Sequence, residues 1–151
     1  MDNDLESSQT RAVLDFMLFL SDTLSQRSKL FEQETLCSPD EVSVISLLTR
    51  RGPMMVKQIA EGMAGIDPSK LTRILDSLEE HGYATRTLNR EDRRSFLVTP
   101  TERGRRLLDV FTGQLGDLAQ DLLAALTPVE RLILVELFTK VQANWNQRQD
   151  A

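Results

Sequence analysis

Four of the five prolines stand directly after a residue that can cap a helix, and three of those four sets carry a glutamate three positions beyond the cap. The three are Ser38-Pro39-Asp40-Glu41, Thr99-Pro100-Thr101-Glu102 and Thr127-Pro128-Val129-Glu130; the fourth, Asp67-Pro68-Ser69-Lys70, has the cap without the glutamate. In a capping box the hydroxyl accepts from the third helical amide and the glutamate accepts from the cap's own N–H, while proline at the first position gives up an amide that would have no helical partner. Helices are therefore expected to start near residues 39, 68, 100 and 128, in a mainly α chain.

Apolar periodicity fills the intervals. A long first helix is expected over residues 8–34, with Val13, Phe16, Met17, Leu20, Leu24 and Phe31 at helical spacing. A second follows Pro39, carries Val42, Ile45, Leu47 and Leu48, and stops at Gly52-Pro53. A short third helix (56–63), the turn Ala64-Gly65-Ile66 and a helix from Pro68 to His81 come next, the last with Leu71, Ile74, Leu75 and Leu78 facing inward. Gly82 is placed for a left-handed C-cap, with Tyr83 making the accompanying apolar contact. Two short strands, 84–88 and 95–99, are rich in Thr, Leu, Val and Phe and are joined by the loop 89–94, which reads as a hairpin. A helix over 102–126 and a terminal helix with Leu132, Leu134, Val135, Phe138, Val141 and Trp145 complete the chain.

At 151 residues and 40% apolar, the chain has material for one core, or a compact lobe joined to an oligomerisation element. The first helix and the last two present more apolar surface than one thin lobe can hide, so a second copy of the chain is the expected cover. The net charge of −5 is unevenly spread: residues 50–106 hold twelve Lys or Arg against eight Asp or Glu, a local +4, and the remainder carries −9. A basic middle between acidic ends suits a nucleic-acid partner, because the ends repel the phosphates and orient the middle.

Other classes find little support. The longest apolar runs, 13–20 and 132–138, are too short to cross a bilayer, and residues 1–10 lack the features of a signal peptide, so a cytoplasmic location is expected. One cysteine, Cys37, and one histidine, His81, give neither a disulfide framework nor a zinc ligand set. With no glycine-rich phosphate loop and no nucleophile-base ordering, an enzyme is not expected, nor is any cofactor. His81 sits at a helix end, where the dipole favours it, and needs no ligand role.

The helix opening at Pro68 turns Ser69, Lys70, Thr72, Arg73 and Asp76 outward. Preceded by a short helix and a turn, it has the order of a helix-turn-helix whose second helix enters the major groove by its N-terminal end. Arg73 suits a bidentate contact to guanine, and Lys70 a phosphate. At the hairpin tip Arg90, Arg93 and Arg94 crowd three charges into five residues, where repulsion calls for an anion, and Glu91 and Asp92 can orient the guanidinium groups. Arginines at such a tip suit the negative potential of a narrow minor groove.

The segments QIAEGM, DPSKLTRILDSLEEHGY, DRR and LVTPTERG, in that order, resemble the winged helix-turn-helix of the MarR family of bacterial transcriptional regulators. The resemblance implies one MarR-type domain over 1–151, with dimerisation helices at about 8–36 and 102–150 around a DNA-binding lobe at about 39–101. It implies that Ser69, Lys70, Thr72 and Arg73 read the major groove, and that Arg94, with Arg93 beside it and Asp92 bracing it, enters the minor groove. It further implies a homodimer on a pseudo-palindromic double-stranded operator, acting as a repressor relieved by a small aromatic or anionic effector; it singles out no effector-binding residue. Two departures stand out: Asn89-Arg90 replaces the family's usual Asp-Pro at the wing, and the turn Ala64-Gly65-Ile66 is one residue longer than usual. Two other readings remain. A winged helix can bind protein, given an apolar patch on its exposed face, and Cys37, just before a helix N-terminus, could serve redox sensing if its pKa were lowered.

Overall fold

The computed structural model describes residues 2–90, 92 and 95–149. The predicted wing residues Glu91, Arg93 and Arg94 lie outside the described residues. Six helices and three strands follow in the order α1 (Asp2–Thr35), α2 (Pro39–Arg51), β1 (Met54–Met55), α3 (Val56–Gly62), α4 (Pro68–Glu80), β2 (Ala84–Leu88), β3 (Phe96–Pro100), α5 (Glu102–Ala124) and α6 (Pro128–Gln149).

Three of the four expected helix starts are capped as the sequence indicates. Ser38 N–H donates to Glu41 Oε2 at 2.6 Å and Ser38 Oγ accepts from Glu41 N at 3.3 Å, a reciprocal box at the head of α2. Asp67 Oδ1 accepts from Lys70 N at 3.0 Å and opens α4. Thr127 and Glu130 form the same box at α6, and the hydrogen bonds from Thr127 hold the Glu130 carboxyl below its ordinary value.

The fourth start is a correction. Pro100 does not begin a helix; it ends β3, paired with Ala84 of β2. The ladder gains one further bond, Thr101 N to Tyr83 O at 3.0 Å, and Thr101 becomes the cap, accepting from Gly104 N at 3.0 Å through its hydroxyl and from Arg105 N through its carbonyl. The same hydroxyl donates to Gly82 O at 2.7 Å, so one threonine ends the sheet and starts the helix. Proline is tolerated because the residue after it supplies the amide.

β1 was not expected from the sequence. Its two residues pair antiparallel with β3 through Met54–Val98 and Met55–Leu97, so the sheet order is β1-β3-β2. At the other end, α1 starts at Asp2, earlier than the apolar periodicity required.

By contact the chain divides into two compact units, Met1–Phe111 and Thr112–Ala151. The first holds the main core, in which Val44, Ile45 and Leu48 of α2, Ile59 of α3, Leu71, Leu75 and Leu78 of α4 and Val98 of β3 are buried together. Phe31 anchors the end of α1 into this core, edge-on to Phe111 at 5.2 Å between ring centres. Most of the α1 stripe stays in solvent: Val13, Phe16, Met17 and Leu24 are exposed in the single chain, and Leu20 is half-buried. In the second unit, Leu132, Phe138, Val141 and Trp145 of α6 are likewise exposed, Leu132 at 73%.

Candidate nucleic-acid interface

The scaffold of the site is α3, a turn, and α4. The turn between them is made at Gly65, which takes φ +79°, where a side chain would be strained, while Ile66 N donates back to Met63 O at 3.1 Å. Met63 and Ile66, on either side of it, are partly buried against the core. The seat itself is Leu71, Ile74, Leu75 and Leu78, all buried.

The opposite face of α4 is polar and exposed, and it carries every residue the sequence assigned to it. Ser69, Lys70, Thr72, Arg73 and Asp76 are all exposed. Thr72 Oγ1 donates to Pro68 O at 3.0 Å, which leaves its methyl group and lone pairs outward. Arg73 Nε lies 3.5 Å from Ser69 O, and the guanidinium extends along the helix face. Lys70 is not a bare charge: its Nζ is 2.5 Å from Asp40 Oδ2 of α2, a solvent-exposed pair that a phosphate would compete for.

Beside α4 stands the hairpin. β2 and β3 are in register from Ala84–Pro100 to Leu88–Phe96, and the described part of the tip is closed by Asn89 N to Ser95 O and Ser95 N to Asp92 O, both 2.9 Å. Arg90 and Asp92 are exposed there. Asn89 contributes its side chain as well, donating to Ser95 Oγ at 3.4 Å.

One residue of the site escaped the sequence reading. Arg86 of β2 donates from Nη2 to Asp76 Oδ1 and from Nε to Glu79 Oε2 at 3.0 Å, bridging strand to helix. The hydrogen bond to Asp76, then that to Glu79, outweighs partial desolvation and raises the Arg86 pKa further. Two acids spaced i, i+3 on a helix and an arginine in the strand that follows were the available signal. At the hinge between helix and strand Gly82 has φ +71°, as expected, and Tyr83 is buried with its hydroxyl donating to Thr35 O at 3.3 Å.

Cys37 is fully buried at the junction of α1 and α2. Burial first, then the carboxylates of Glu41 and Glu32, pushes its thiol up to about 12, the reverse of what a thiolate sensor needs. His81 Nδ1 lies 2.8 Å from Ser77 O and its ring stacks on Tyr83 at 6.1 Å between ring centres.

A short helix, a turn and a polar-faced helix backed by an antiparallel hairpin define a winged helix-turn-helix. A family model described as MarR family matches residues 37–96, the segment from Cys37 into β3. An uncharacterized HTH-type transcriptional regulator of Bacillus subtilis (strain 168), YpoP, is 29% identical over 104 residues, covering 69% of this chain and 73% of that one. The crystal structure of YusO from Bacillus subtilis superposes with a TM-score of 0.70 at 25% identity, over 87% of this chain and 95% of that one. A complex of S. aureus MepR with DNA superposes with a TM-score of 0.67 at 18% identity, over 84% and 95%, a likeness of fold. Residues 37–96 thus match the MarR family model, the fold is that of MarR-type winged-helix proteins, and the relatives matched are HTH-type transcriptional regulators.

Proposed function

We propose that this regulator binds double-stranded DNA as a homodimer, placing α4 of each copy in the major groove and each wing in the adjacent minor groove of a pseudo-palindromic operator. The observation that carries the reading is the composition of the exposed α4 face: Ser69, Lys70, Thr72 and Arg73 offer hydroxyl, ammonium and guanidinium groups and no apolar patch. A protein partner would want the patch; base edges and phosphates want the donors. MepR, of the same fold, has been crystallised with DNA.

Ser69, Lys70, Thr72 and Arg73 form the reading set, with Arg73 on a base and Lys70 on a phosphate. Arg90, Arg93 and Arg94 form the wing set, and Asp92 orients it. The exposed apolar side chains of α1 and α6 support the homodimer, since a single chain leaves them in water. Repression, and its relief by a small aromatic or anionic effector, rest on the family resemblance. A cytoplasmic working place and the lack of an enzymatic role rest on the sequence motifs weighed above; among the described residues no helix is long and apolar enough to cross a membrane.

Fluorescence anisotropy with a labelled duplex, selected by the protein from a random-sequence pool, tests the reading. Affinity is expected to fall steeply between about 50 and 200 mM salt as displaced counterions lose their entropic advantage. A salt-independent affinity, or no binding to any duplex at low salt, would contradict it.

A further inference from the structure

Arg86 is gripped from both sides by α4. Asp76 and Glu79 lie three residues apart on that helix, Asp76 takes Nη2, Glu79 Oε2 takes Nε at 3.0 Å, and Glu79 Oε1 accepts the backbone N–H of Arg86 itself at 3.3 Å. A planar guanidinium fixes the directions of its donors, so two carboxylates and a backbone amide are satisfied together only if α4 and β2 hold one mutual orientation. The clasp also sits between the two DNA-facing arms: Arg73 is three residues before Asp76 along α4, and the wing loop opens at Asn89, three residues beyond Arg86.

The clasp has little to do with holding the fold. The Arg86 side chain retains 23% of its exposure, and those of Asp76 and Glu79 retain 59% and 45%. Ion pairs so open to water contribute little to stability. The same lobe is already held by the buried apolar seat of α4 and by the β2–β3 ladder. What the clasp adds is an angle.

We propose that Arg86 is a positioning residue that sets the wing against the reading helix, so that both arms of one copy engage a half-site together; this rests on the DNA-binding reading above. It need not touch DNA. It also holds two carboxylates beside a cation on a surface that faces phosphates.

The test compares two duplexes, one selected by the wild-type protein from a random-sequence pool and one of the same composition with scrambled order. Arg86→Lys keeps the charge and loses the fork. Its affinity for the selected duplex is expected to fall about tenfold, as for a site with one lost base contact, with less than about a twofold change on the scrambled duplex. Its thermal midpoint is expected to stay at the wild-type value. Asp76→Asn combined with Glu79→Gln removes the clasp from the other side and adds positive charge, so scrambled-duplex affinity should rise while the selected-to-scrambled ratio falls. A ratio unchanged in both variants overturns the inference and leaves the DNA reading intact. A wild type that binds neither duplex overturns the DNA reading, and the inference with it.

Discussion

Gly104 sits where no side chain fits. A Cβ there would lie 2.2 Å from the carbonyl oxygen of Tyr83, a backbone atom held in the ladder bond to Thr101, and 3.3 Å from Ile45 Cδ1. Alanine is the better helix former by about 1 kcal/mol, but the clash has no flexible partner to absorb it. Gly104→Ala is therefore expected to destabilise by about 1–3 kcal/mol, read as a lower urea midpoint at unchanged slope. Cys37 gives a second expectation. Its folded pKa of about 12 lies above the ordinary thiol value of 9.0, so the native state holds the proton longer than the unfolded chain does. Stability from this group is intact below pH 9 and is lost as pH rises from there toward 12, a decline that Cys37→Ala should reduce in alkaline denaturation curves. In the native state at neutral pH a thiol reagent should label Cys37 only at the rate of unfolding; rapid labelling would restore the redox reading. On the proposed reading Arg73 and Arg94 serve different grooves, so Arg73→Ala should cost about 1–3 kcal/mol and relax base preference at one position. Arg94→Ala should lower affinity for duplexes of narrow minor groove most, both variants being measured by anisotropy.

At the scale of elements, what the sequence made legible was what neighbouring residues decide. The starts of α2, α4 and α6 are written in three or four consecutive residues, and the caps at Ser38, Asp67 and Thr127 form with the partners those residues name. Ser38→Ala should accordingly cost about 1 kcal/mol in a denaturant titration. The exception, Thr99-Pro100, failed because a non-local bond competed: Tyr83 O, eighteen positions back along the chain, claims the amide of Thr101 and draws the strand one residue further. β1 was illegible for the same reason, since two methionines have no alternation to read and acquire strand character only from Val98 and Leu97. The exposed polar face of α4 was legible, because the buried quartet Leu71, Ile74, Leu75 and Leu78 fixes which side remains. Its neighbours were less so: Lys70 pairs with Asp40 and Arg86 is clasped by Asp76 and Glu79 across different elements, and the i, i+3 spacing of the two acids hints at a partner without naming it.

At the scale of the whole molecule the account turns on surface that one chain leaves uncovered. Val13, Phe16 and Met17 of α1 and Leu132, Val135, Phe138 and Trp145 of α6 are exposed by 46% or more, and each buried side chain of this kind is worth about 1.5–3 kcal/mol. Two copies covering these faces would bring two reading heads to half-sites about 34 Å apart, one helical turn of DNA. Leu132→Asp combined with Trp145→Asp should therefore yield a monomer by sedimentation, with its α4 face intact and affinity for a selected palindrome lost. The most direct measurement is sedimentation of the wild-type protein with a selected palindromic duplex and, separately, with one of its half-sites inverted in order. Two chains per palindromic duplex, and markedly weaker binding to the inverted arrangement, are expected; one chain per duplex, or equal binding to both arrangements, would contradict the account.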